Sequence, residues 1–425
     1  MTQQSEYVVA VKGEALDAVA TVPGSKSIAH RALVCAALAR GVSTIRGLPS
    51  GDDTQAMLQG LKILGASISL NGTDAHIEGS IDLECVDAIT VDANLAGTTA
   101  RFLTAIGALR CGPITVTGNE SLRNRPMKDL HLALEQLGAE VAWQNEEYCL
   151  PVKVRRGESY SDLVQISANT SSQFVTSLML IAPMLGNGLR IELVGEIISL
   201  PYITMSASVM KSFGARVRVV DERNIEIEGG GYVGCEFAVE PDASSASYPF
   251  AAAAVVGGRV RVVGMRSNML QGDSRFLDVL QQMGCEVSED HLGVTISRNE
   301  STVLRGVDVD MSEISDLVPT LAIVAMFAET VTRIRGVGFI RNKESDRIGD
   351  LAHEMRRLGA KVAEHEDGLE ISPQALHSGR CDTHHDHRIA MAFGIAGLKM
   401  SGVIIDQPNV VSKSWPQFWE MLEAL

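Results

Sequence analysis

The sequence predicts an α/β protein of two domains, each made of three copies of one unit with two helices and about four short strands. Two periodic landmarks and the chain length predict this. The first landmark is apolar-Gly-small at a helix end, found at Leu64-Gly65-Ala66, Leu137-Gly138-Ala139, Phe213-Gly214-Ala215, Met283-Gly284-Cys285 and Leu358-Gly359-Ala360. The second is a polar helix start, at Ser27, Thr98, Ser171, Ser244, Asp316 and His387. By subtraction, the glycines recur every 70 to 76 residues and the helix starts every 71 to 73. Independent landmarks that share a period mark an internal repeat. A chain of 425 residues is long enough for two such domains.

Each element has a local reason. Glycine just past a helix supplies a left-handed stop. The third residue after each glycine is Ile68, Val141, Val217, Val287 or Val362, and a β-branched residue there suits a starting strand. The polar starts lead into alanine-rich or apolar helices over 100–109, 173–185, 247–256, 317–328 and 388–398, apolar on nearly every side and therefore buried. Runs such as Ile114 to Gly118 and Val260 to Gly264 read as strands. A sixth helix over Trp415–Leu425 ends the chain where a sixth glycine would fall. A first strand, Tyr7–Val11, precedes the first copy and is expected to pair with the last. The domains are thus 23–241, with copies one to three, and a discontinuous 1–22 with 242–425, with copies four to six.

The net charge of −15 argues against a general nucleic-acid or membrane-surface binder, so any anion must be held by a local group of Lys and Arg. The seven cysteines form no Cys-x-x-Cys pair and suit reduced thiols in a cytosolic protein. No signal peptide is visible at Met1 to Glu6. The apolar run from Leu317 to Ala328 contains Pro319 and Thr320 and is too short to span a bilayer.

The chemistry concentrates at the helix starts. Pro23-Gly24-Ser25-Lys26-Ser27-Ile28-Ala29-His30-Arg31 reads as a turn opening a helix, with Ser25 or Ser27 as cap and two cations beside the free N–H groups, which makes an anion site. Other entrances carry Gly97-Thr98-Thr99 with Arg101, Ser171-Ser172-Gln173, Asp242-Ala243-Ser244-Ser245, Asp316, and Asp386-His387-Arg388. The second helices open at Arg123-Asn124-Arg125-Pro126, Ser199-Leu200-Pro201-Tyr202, Lys343-Glu344-Ser345-Asp346-Arg347 and Lys413-Ser414-Trp415-Pro416. Serine and backbone N–H suit phosphate oxygens, and arginine forks suit carboxylate or phosphate. The set describes a cleft between the domains for one or two polyanionic small molecules. Asp316 reads either as a helix cap or as a general base. Glu344 reads either as a first-turn acid or as a chemical group.

In order along nearly the whole chain, Pro23-Gly24-Ser25-Lys26-Ser27, Ala96-Gly97-Thr98, Arg125-Pro126, Ser171-Ser172-Gln173, Pro201-Tyr202, Asp242-Ala243-Ser244-Ser245, Lys343-Glu344-Ser345-Asp346-Arg347 and Asp386-His387-Arg388 resemble the 5-enolpyruvylshikimate-3-phosphate synthase family. The resemblance implies an inside-out α/β barrel fold, the enolpyruvyl transferase fold, with three βαβαββ units per domain and the site between the domains. It implies transfer of the enolpyruvyl group of phosphoenolpyruvate to the 5-hydroxyl of shikimate 3-phosphate. Lys26, Ser27, Arg31, Ser171, Ser172, Gln173, Ser199, Tyr202, Asp316 and Lys343 are expected to hold shikimate 3-phosphate. Lys26, Gly97, Arg125, Gln173, Arg347, Arg388 and Lys413 are expected to hold phosphoenolpyruvate. Asp316, Glu344 and Lys26 are the expected catalytic residues: Asp316 takes the hydroxyl proton, and Glu344 with Lys26 handles the proton at the methylene. No metal or redox cofactor is expected. A cytoplasmic monomer is expected, and the resemblance implies inhibition by glyphosate, because Gly97 is not the alanine of insensitive forms.

Three positions depart from the family pattern: Leu95 stands where Asn is common, Phe102 where Pro is frequent, and Phe339 where an Asn often reaches the shikimate phosphate. Enolpyruvyl transfer to a UDP-amino sugar is the nearest alternative, but it normally uses a Lys-Asn opening and a loop cysteine, and the context of Cys111 does not match. An RNA-terminal phosphate cyclase-like protein is disfavoured by the charge. A non-catalytic anion-binding scaffold would not need both Asp316 and Glu344.

Overall fold

The computed structural model describes residues 5–79, 81–167, 169, 171–195 and 200–425; Ser199 lies outside them. The chain divides into two compact units, Gly24–Val239 and a discontinuous unit of residues 1–23 with 240–425. Each unit has its own apolar core.

The second copy shows the repeat in full. Strand Ile89–Asp92 leads into helix Gly97–Gly107, then into the parallel strand Ile114–Thr117. Helix Lys128–Leu137 follows, and the antiparallel pair Glu140–Trp143 and Val152–Arg155 completes a four-stranded sheet. The third and fifth copies repeat this order.

The first and fourth copies take their opening strands from elsewhere in the sequence. Strand Leu16–Ala20, which precedes the first copy, pairs in parallel with Gly258–Val263 of the fourth. Strand Glu236–Ala238, which precedes the fourth copy, pairs in parallel with Val42–Arg46 of the first. The sixth copy keeps the parallel pair Gly379–Cys381 and Val403–Asp406, and Glu6–Val8 joins it antiparallel with Glu6 opposite Asp406. Pairing of the first strand with the last copy is as expected, although the strand is shorter than Tyr7–Val11. Leu16–Ala20 is an additional strand; only Leu16 and Ala20 of its five residues are buried, so its apolar alternation is faint.

The five glycines of the first landmark all have positive φ, as a left-handed helix stop requires. The strands after them begin at Ser67, Glu140, Val217, Glu286 and Lys361, at or one residue before the expected β-branched position. The last helix is shorter than expected, Phe418–Ala424, after a 3-10 segment Pro408–Lys413. Pro408 and Pro416 account for this, because neither can donate a helical N–H.

Helices lie inside and sheets outside. All fourteen residues of helix Ala243–Val256 are buried, including Pro249. It packs against helices Val318–Ala325 and His387–Lys399, which pack on each other. The alanines let these axes approach closely, and each buried Leu, Ile, Val or Phe contributes about 1.5–3 kcal/mol. The strands alternate instead, as in Leu189–Val194, where Leu189, Ile191 and Leu193 are buried and Arg190 and Val194 are exposed.

Gly258 lies where the N-terminal strand joins the fourth sheet. Its φ is +93°, and a Cβ there would run into the backbone of Leu16. Gly41 has a similar φ of +87° with open space around it. Gly258→Ala is therefore expected to lower unfolding stability by more than about 2 kcal/mol, and Gly41→Ala by about 1 kcal/mol. Equal unfolding midpoints for the two variants in urea would contradict the clash.

Candidate functional site

In the unit Gly24–Val239, helix Lys26–Leu38 begins directly after the Pro-Gly turn. Ser25 occupies the cap position, but its hydroxyl makes no capping bond; Ser27 is already helical. The expectation of a serine side-chain cap at this entrance is therefore corrected. Lys26 Nζ lies 2.9 Å from the buried carboxylate of Asp53, in the first turn of helix Asp52–Ile63. Arg31 is 2% exposed. It donates to Ser206 Oγ at 2.7 Å and also to the Ser27 carbonyl, Thr176 and the Tyr202 carbonyl. Its guanidinium lies over the rings of Phe102 and Tyr202. Burial lowers the Arg31 pKa to about 10, so the group stays charged at neutral pH. Phe102, the second departure, lies in helix Gly97–Gly107 and supplies an aromatic face under a buried cation.

The entrance to the third copy follows the expected local chemistry. Ser171 caps helix Ser172–Ile181 and accepts from the Gln173 amide. Gln173 Oε1 accepts from Arg101 Nη1 at 2.7 Å. A Cβ on Gly97 would stand 2.6 Å from Arg101 Nη1 and 3.6 Å from Arg125 Nη1, so Gly97 sits beside both guanidiniums. Among the expected residues of this unit, Lys26, Ser27, Arg31, Ser171, Gln173 and Tyr202 are thus placed in named contacts, and Gly97 lies beside Arg125. Asp53 and Arg101 are additional members. Arg101 was legible in the helix start; a first-turn acid was the only signal for Asp53.

In the other unit, Arg347 is the hub. Its Nε lies 2.7 Å from Asp386 Oδ2, Nη1 lies 2.9 Å from Asp316 Oδ1, and Nη2 lies 2.8 Å from Glu344 Oε2. Arg388 Nη2 donates to the other oxygen of Asp316 at 2.7 Å. Lys413 Nζ lies 3.8 Å from Glu344 Oε1. Asp386 is fully buried, caps helix His387–Lys399 by accepting from the Arg388 amide, and also accepts from Ser345 Oγ. Lys343 lies over the ring of Phe339 at 5.9 Å. Phe339, the third departure, therefore holds a cation by its face where an amide would offer a hydrogen bond.

The alternative structural readings of the two acids do not hold. Asp316 lies in a 3-10 turn, Ser315–Leu317, ahead of helix Val318–Ala325, and that helix has no side-chain cap bond. Glu344 precedes helix Gly349–Arg357 and is not in its first turn. Burial would raise the pKa of Asp316, but the charges of Arg388, Arg347 and Lys343 outweigh it and hold the carboxyl well below the usual range. Burial would lower that of Arg347, but Asp386, Glu344 and Asp316 outweigh it and raise it. Both groups are therefore ionised at neutral pH. Cys111 contacts Glu84 and Arg156, with no part in either cluster.

Asp273 is a buried acid that the sequence did not single out. It accepts from Ser244 Oγ at the start of helix Ala243–Val256. There Gln271 Oε1 accepts from the Ala243 amide and Asp242 accepts from the Ser245 amide. Burial, then the charge of Asp316, push its carboxyl up to about 7.

The sequence model of the family described as EPSP synthase (3-phosphoshikimate 1-carboxyvinyltransferase) matches residues 11–422. A 3-phosphoshikimate 1-carboxyvinyltransferase from Nostoc punctiforme is 40% identical over 420 residues, covering 96% of this chain and 97% of that protein. One from Methanoculleus marisnigri is 39% identical over 409 residues, covering 96% of each. A solved structure of EPSP synthase from Acinetobacter baumannii superposes with a TM-score of 0.82 at 26% identity, covering 99% of this chain and 98% of that one.

The raised pKa of Asp273 yields a stability test. The folded chain keeps this proton between about pH 4 and 7, where the unfolded chain has released it, so stability falls as pH rises through that window. Asp273→Asn keeps an acceptor for Ser244 and cannot ionise. The wild type is expected to lose up to roughly 4 kcal/mol more than Asp273→Asn between pH 4 and pH 8. Parallel curves of unfolding free energy against pH would show that Asp273 is not the titrating group.

Proposed function

Because the chain belongs to the EPSP synthase (3-phosphoshikimate 1-carboxyvinyltransferase) family, we propose roles for its two clusters in the family's reaction. The chain is a transferase of the shikimate pathway: it moves the enolpyruvyl group of phosphoenolpyruvate to shikimate 3-phosphate, in aromatic amino acid biosynthesis. In the proposed roles, Lys26, Ser27, Arg31, Ser171, Ser172, Gln173, Ser199, Tyr202 and Lys343 bind shikimate 3-phosphate. Arg31 acts in part by fixing the Tyr202 backbone. Gly97, Arg125, Arg347, Arg388 and Lys413, with Lys26 and Gln173, bind phosphoenolpyruvate. Asp53 orients Lys26 and Arg101 orients Gln173.

Asp316 takes the proton of the 5-hydroxyl as its oxygen attacks C2, and Glu344 with Lys26 manages the proton that enters and leaves the methylene as phosphate departs. The cations offset the repulsion between two anionic substrates and align hydroxyl with C2. One observation carries this reading: the Asp316 carboxyl is held between the guanidiniums of Arg347 and Arg388, in a turn where its side chain caps no helix. No helix among the described residues is long and apolar enough to cross a membrane. We place the enzyme in the cytoplasm as a monomer.

Release of phosphate from phosphoenolpyruvate, dependent on shikimate 3-phosphate, tests the reading. Asp316→Asn is expected to fold and to lower turnover by about 10²–10⁴-fold. Near-normal turnover in the folded variant would remove Asp316 from the base role.

Glyphosate is proposed as an inhibitor competing with phosphoenolpyruvate beside Gly97. A methyl group there narrows the space before Arg125 and presses on Arg101, the partner of Gln173. Gly97→Ala is expected to weaken glyphosate inhibition by roughly ten- to hundredfold and to affect phosphoenolpyruvate less. Equal inhibition of wild type and variant at fixed phosphoenolpyruvate would show that the glycine is not the discriminating contact.

A further inference from the structure

Arg347 has one fully buried carboxylate partner and two that are partly exposed. Asp386 is 0% exposed, bonds Nε and Nη2 of Arg347, and caps a buried helix. Asp316 and Glu344 are different, with side chains 24% and 15% exposed and no role in capping a helix. Together they occupy both Nη atoms of Arg347. Asp316 also takes Arg388 at 2.7 Å, and Glu344 faces Lys413. Three carboxylates thus stand against Arg347, Arg388, Lys413 and the adjacent Lys343, so the cluster largely neutralises itself.

We infer that Asp316 and Glu344 are also positioning residues, internal stand-ins for the anionic groups of phosphoenolpyruvate that hold its cationic ligands in place until the substrate exchanges for them. The inference rests on the functional reading above, which assigns Arg347, Arg388 and Lys413 to phosphoenolpyruvate. Without such partners, two guanidiniums within reach of one carboxylate would repel each other and spread. The stand-ins keep them converged, so the substrate meets a formed site.

The exchange also times the chemistry. While both oxygens of Asp316 accept charge-assisted hydrogen bonds, its affinity for a proton is low. When a substrate carboxylate or phosphate draws off the guanidiniums, that suppression is relieved and Asp316 becomes a stronger base with the substrate in place. Glu344 is released toward the methylene by the same event. An unoccupied site thus holds a poor base, and an occupied one a competent base.

The test separates affinity from turnover. Binding of phosphoenolpyruvate alone, and of inorganic phosphate as a second probe, is measured by calorimetry at pH 8. Asp316→Asn removes the competing anion and is expected to tighten phosphoenolpyruvate by about tenfold, as for the loss of one competing charge-assisted hydrogen bond, even though it cripples turnover. Glu344→Gln is expected to tighten it by about threefold, since it frees one nitrogen of Arg347 and the more distant Lys413. Asp273→Asn is the control: it deletes a neighbouring carboxyl that bonds Ser244 and neither guanidinium, and it should leave affinity within about twofold. Unchanged or weaker binding in both Asp316→Asn and Glu344→Gln would overturn the exchange, as would an equal gain in Asp273→Asn. A wild type that binds neither probe, with or without shikimate 3-phosphate, would overturn the functional reading itself.

Discussion

Taking a guanidinium out of water is costly unless its donors meet anions. Arg347, 1% exposed, meets this condition through three carboxylates from three segments of its unit: Asp316 from the 3-10 turn, Glu344 from its own loop, and Asp386 from the start of helix His387–Lys399. The buried charge therefore ties the fifth and sixth copies together at their functional ends. Removing any one carboxylate changes the field felt by the others, because they share a cation. The same constraint gives Asp386, which touches no exposed surface, a place in the cluster beside Arg388: it fixes both the hub and the backbone from which Arg388 projects.

The second cluster uses other means. Arg31 has hydroxyls, carbonyls and two aromatic faces where Arg347 has carboxylates. A cation held by neutral groups keeps its full charge available to an incoming anion, whereas one held by carboxylates has much of it offset. Neutral partners suit the constant grip proposed for shikimate 3-phosphate. Carboxylate partners suit an exchange coupled to chemistry.

The strand exchange closes each unit by pairing strands that lie far apart in its sequence. Leu16–Ala20 serves the fourth copy and Glu236–Ala238 serves the first. Each unit therefore closes with a strand distant in sequence from its partner, which requires chain passages near residues 23 and 240. Such non-local parallel pairings bear their loop-closure cost before they contribute stability.

The sequence by itself determined the repeat, the position of each helix stop, the burial of the alanine-rich helices, and the order of the polar entrances. These features are local: a glycine in the left-handed region, an apolar helix and a capping serine act within a few residues, so their signals are written in short stretches. It also placed Lys26, Arg125, Asp316, Glu344, Arg347 and Arg388 among the residues of interest, through motifs at those entrances. Only the tertiary structure decided which charges face one another. That Asp316 and Asp386 share Arg347, that Asp53 holds Lys26, that Asp273 is buried against Ser244, and that Phe102 and Phe339 lie under cations each depend on side chains tens of residues or more apart, or on rings folded back over a nearby cation. Spacing carries no trace of such pairings, because Coulomb energy and burial depend on distance in space and not on separation along the chain.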